Sequence, residues 1–60
     1  MKLAQARKIA KTVKDDPKWA RDYLSTDDLA DAFGRLDYNA NRNWNDGDKE
    51  LARTIWDFHA

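Results

Sequence analysis

The sequence predicts an all-α fold, a small domain of three or four helices. Apolar residues recur at spacings of three and four along most of the chain. Capping residues stand ahead of several of these runs. No β-branched alternation of the kind that marks a strand appears anywhere. At 60 residues and 7.0 kDa, the chain holds a single domain, residues 1–60. A domain this small buries only about 60% of the surface its unfolded chain exposes. It has no cysteine, so neither a disulfide nor a thiolate-bound metal supports it. The content of 42% hydrophobic residues, with three Trp, is enough for a core and too much for a disordered tail.

Residues 2–14 carry Leu3, Ala6, Ile9, Ala10 and Val13 on one side of a helical wheel, with Arg7, Lys8, Lys11 and Lys14 beside them. Pro17 ends this helix, because the residue before a proline avoids helical backbone. Asp16-Pro17 then opens a second one: Asp is a good N-cap, and proline has no N–H to leave unpaired at the first position. Trp19, Ala20, Tyr23 and Leu24 give it an apolar side. Ser25-Thr26-Asp27-Asp28 is the next cap cluster, followed by the stripe Leu29, Ala32, Phe33 and Leu36, with Gly34 as a weak point. Residues 37–48 hold four Asn, three Asp and one Gly, a composition that predicts an Asn/Asp-rich loop before the last helix. That last helix is expected to start near Asp46 to Asp48, with Leu51, Ala52, Ile55, Trp56 and Phe58 as its apolar face. The expected core is Trp19, Phe33, Leu36, Leu51, Ile55 and Trp56.

The net charge is zero, but the charges are segregated. Residues 1–21 hold seven basic and two acidic residues, and residues 22–60 hold four basic and nine acidic ones. The basic segment either lies against the acidic one or faces an anionic partner, and both readings stay open at this level. No apolar run exceeds two residues, which argues against a membrane span. The start Met1-Lys2-Leu3-Ala4-Gln5 has no apolar signal core, so a cytoplasmic location is expected.

The segment 37–48 is similar to an EF-hand calcium loop. Asp37, Asn39 and Asn41 stand at its first, third and fifth positions, and Trp44 at the eighth, where an apolar residue is usual. Arg42 replaces the turn glycine, and Asp48 replaces the closing glutamate. The resemblance implies weak calcium binding by Asp37, Asn39, Asn41, Asn43 and Asp48. A helix-turn-helix reading fails on its second helix, since 37–45 is rich in Asn and carries acidic charge. Another nucleic-acid mode sets the basic helix 2–14 on phosphates, with Trp19 or Tyr23 stacking on bases.

Catalysis has little support. His59 is the only histidine, next to the last residue, and Ser25 is the only serine, in a cap signature. The leading expectation is a non-enzymatic protein-binding module that regulates or inhibits its partner. Trp and Tyr are favoured interface anchors, and charge complementarity steers association. The candidate partner-binding residues are Arg7, Lys8, Lys11, Lys14, Trp44, Trp56 and Phe58. Trp44 is the aromatic residue expected to be most exposed, and Trp56 with Phe58 offers a surface for a homodimer.

Overall fold

A computed structural model describes residues 1–59. Four helices follow in order: α1 (Leu3–Asp15), α2 (Pro17–Tyr23), α3 (Thr26–Asn43) and α4 (Asp46–His59). The described residues contain no strand. No helix among them is long and apolar enough to cross a membrane.

The breaks between helices follow the local chemistry. Asp16 leaves helical backbone, with φ −142° and ψ 73°; its N–H donates to the Thr12 carbonyl and closes α1. Its side chain accepts the Trp19 N–H at 3.1 Å and caps α2, with Pro17 at the first position. Ser25 Oγ accepts the Asp28 N–H at 3.1 Å and caps α3, whose first turn carries Asp27 and Asp28 at its positive end. Asn45 Oδ1 accepts the Asp48 N–H at 3.0 Å ahead of α4.

α3 and α4 form an antiparallel hairpin joined by only Trp44 and Asn45. α1 packs across both, and α2 packs on α1. The contacting faces are lined largely with alanine. Ala6, Ala10, Ala20, Ala32, Ala40 and Ala52 are all buried, together with Ile9, Val13, Leu29, Leu36 and Ile55. Leu36 and Ile55 are the largest side chains that are fully buried.

Two expectations need correction. Residues 37–43 are helix, not loop: α3 runs 18 residues, about 27 Å at 1.5 Å per residue. The reason is tertiary. Ala40 extends the buried stripe of Leu29, Ala32 and Leu36 by another turn, and the Asn39 side chain bonds to other side chains instead of to its own backbone. Gly34 accordingly lies inside the helix and does not end it.

The aromatic core is the second correction. Leu36 and Ile55 are buried as expected, while Phe33 and Leu51 are half-buried. Trp19 and Trp56 are exposed, at 45% and 61%. Alanine faces leave no space between the helices for an indole, so the large rings lie at the edges. Trp19 stacks on Tyr23 of its own helix with ring centres 5.0 Å apart.

Two substitutions test this packing by denaturant unfolding. Leu36→Ala is expected to lower stability by about 2–5 kcal/mol, because it opens a cavity in a core with few large side chains. A Cβ at Gly34 meets no atom within 4 Å. Gly34→Ala is therefore expected to raise stability by about 1 kcal/mol through helix propensity alone.

Candidate functional site

One acidic side chain is buried, Asp48 in the first turn of α4, at 2% exposure. Its carboxylate joins three helices. From α1, Arg7 Nε donates to Oδ1 at 2.8 Å and Nη2 donates to Oδ2 at 2.9 Å. From α3, Asn39 Nδ2 also donates to Oδ2. Asn43 Nδ2 donates to Asn39 Oδ1 at 2.6 Å and fixes the orientation of that amide. No buried side-chain polar atom among the described residues lacks a partner.

The electrostatics follow from the geometry. The Arg7 hydrogen bonds hold the Asp48 carboxyl below the ordinary carboxylate value. Burial opposes this, and the Asn39 amide and the Arg7 charge reinforce it. Hydrogen bonding to Asp48 likewise raises the Arg7 pKa. A two-pronged guanidinium–carboxylate pair is among the stronger polar contacts in proteins.

This geometry reassigns several candidate residues. Arg7 is committed to Asp48 and is not a free cation for a partner. Lys8, Lys11 and Lys14 are exposed on α1 and form no ion pair among the described residues. The two charge halves thus meet at one inward pair, Arg7–Asp48, and at an outer one between the Met1 ammonium and Asp31 at 3.1 Å. Phe58 is half-buried and packs against the core.

The calcium-loop arrangement is absent. Asp37 and Asn41 lie one turn apart on α3, and Asn39 and Asn43 lie one turn apart on another side of it. Helical backbone cannot wrap these four residues around one ion, and both Asp48 oxygens are occupied within the fold. Among the described residues, no group of three His, Cys, Asp or Glu side chains is placed to hold a metal. Ser25 spends its hydroxyl on the α3 cap, and His59 is exposed.

The aromatic residues outside the core form four groups, one of them the exposed Tyr38 of α3, whose hydroxyl accepts from Arg42 Nη1 at 2.9 Å. Trp19 and Tyr23 pair on α2. Phe33 of α3 and Trp56 of α4 meet at 5.4 Å along one edge of the hairpin. Trp44 stands alone at the hairpin turn, 89% exposed, with φ 53° and ψ 40°. Its N–H and that of Asn45 both donate to the Ala40 carbonyl, which closes the end of α3. The left-handed conformation at Trp44 was not legible in the sequence, where glycine or asparagine would signal such a position.

No family model, curated protein or solved structure gives a match to this chain.

The Asp48 geometry fixes the sign of an acid response. A carboxyl whose native pKa is lowered contributes stability that is fully present above its unfolded value, near 3.8. That stability is lost as pH falls through the lowered native value. The melting temperature is therefore expected to fall as the pH drops below that of an ordinary aspartate. Asp48→Asn is expected to melt lower than the parent at neutral pH, with the difference shrinking in acid. Equal acid sensitivity in the two proteins would refute the role given to this carboxylate.

Proposed function

We propose that this chain is a non-enzymatic protein-binding module that regulates the partner it binds, with Trp44 as its anchor. One observation carries the reading. A bulky side chain occupies a left-handed position that costs an L-residue about 1–2 kcal/mol, yet its indole packs on almost nothing in its own fold. Neither local conformation nor packing accounts for a tryptophan there. Backbone strain of this kind concentrates at functional sites. A rigid indole projecting from a two-residue turn offers a large apolar area with few torsions to immobilise, which suits a hot-spot anchor.

The nucleic-acid reading draws on a different surface. Lys8, Lys11, Lys14 and Lys18 are exposed, and Trp19 and Tyr23 pair on α2. Asp15 and Asp16 stand between Lys14 and Lys18 in the chain, Asp22 follows, and all three are exposed, which weakens the attraction for phosphate. The protein-binding reading is favoured for that reason.

Trp44→Gly separates binding from folding. Glycine suits the left-handed site, so the variant is expected to be at least as stable as the parent, by up to about 1 kcal/mol. Immobilised parent protein is expected to retain a stoichiometric protein partner after nuclease treatment, and the variant to lose it. Retention by Trp44→Gly, or a partner that vanishes with nuclease, would refute the assignment.

A further inference from the structure

The edge of the α3–α4 hairpin that bears Phe33 and Trp56 is uncovered. α1 packs across the hairpin, but the shallow depression around Trp56 is lined only by α3 and α4. Toward one end the exposed Ala30 and His59 border it, over the buried Leu29 and Ile55. Toward the turn, the lining becomes charged: Asp37 comes from the α3 side, and Lys49 and Arg53 come from the α4 side. Asp37, Lys49 and Arg53 form no ion pair among the described residues. Asp46 and Glu50 also border the depression, further round α4 and away from α3.

We infer that a second copy of this chain covers the Phe33–Trp56 face, forming a two-fold symmetric dimer. The placement of charge carries the inference. Asp37 lies one helical turn beyond Phe33, toward the hairpin turn. Arg53 lies one turn before Trp56 and Lys49 two turns before it, so they are also toward the hairpin turn. A two-fold axis parallel to the helices lays α3 of one copy over α4 of the other and preserves levels along the axis. Each Phe33 then meets the Trp56 of the second copy, and each Asp37 meets its Arg53 and Lys49. The face is complementary to itself, as a two-fold interface requires.

Two further features suit a second copy. The formal net charge is zero, so no long-range repulsion opposes association of like chains. The monomer core is also thin. A chain below about 70 residues without a disulfide or metal commonly gains stability by oligomerisation, and here six of the eleven buried apolar residues are alanine. Covering Trp56 and the half-buried Phe33 between copies adds large apolar contacts that the interior lacks.

Sedimentation equilibrium over a wide concentration range tests this. The parent is expected to move from 7.0 kDa toward twice that mass as concentration rises. Trp56→Ala is expected to weaken association by roughly tenfold or more, as for a central aromatic anchor. Surface charge variants keep the test independent of any effect of Trp56 on folding. Asp37→Lys alone, and Lys49→Glu with Arg53→Glu, are each expected to be monomeric where the parent is dimeric. An equimolar mixture of the two is expected to form a heterodimer. A parent that stays at 7.0 kDa at every concentration overturns the inference. So does a dimer unaffected by these variants, or a mixture that stays monomeric. Trp44 lies outside this face, so the mass of Trp44→Gly is expected to match the parent's.

Discussion

The buried Asp48 carboxylate is the interaction on which the rest of the structure depends. It receives a two-pronged contact from α1 and an amide from α3, while the Asp48 N–H donates to Asn45 Oδ1. A carboxylate at 2% exposure is costly unless both oxygens are hydrogen-bonded, and here they are. Such a pair adds little net stability over an apolar replacement, but removing one member leaves an uncompensated charge. Its role is registry. Alanine faces offer few large side chains to interlock, and the Arg7–Asp48–Asn39 contacts join α1, α3 and α4 at one point.

The same alanine faces determine what lies outside. Close helix contacts leave Leu36 and Ile55 as the principal interior volume and send most of the aromatic residues to the edges. Exposure of Trp56 beside Phe33 is thus a consequence of packing, and it creates a face suited to a second copy. Trp44 has a different origin. Helix packing does not require it, and the local backbone disfavours it. The two surfaces lie at different places on the hairpin, so self-association and partner binding need not compete.

Much of the fold was legible because local signals and tertiary packing agree. Asp16-Pro17 and Ser25 mark helix starts by hydrogen-bonding chemistry that operates over three residues. The spacing of Leu29, Ala32 and Leu36 shows which side of α3 faces inward. Residues 37–43 were illegible because their signals conflict. Asn and Asp favour turns when their side chains serve their own backbone. Here Asn39 serves Asp48, nine residues away, and the helix persists. The Arg7–Asp48 pair spans 41 residues, and the segregation of charge hinted at such a contact without selecting its members. Helical spacing puts Trp19 and Trp56 on apolar faces, but spacing does not tell whether room exists between alanine-lined helices.

The most direct measurement of the central claim is a double-mutant cycle between Arg7→Met and Asp48→Leu, read by denaturant unfolding. If the pair acts as one unit, each single change is clearly destabilising. Adding the second to the first then costs little or restores stability, because no unpaired charge remains. Strict additivity of the two losses would contradict the claim. It would mean that Arg7 and Asp48 contribute separately and that the helix register is set elsewhere.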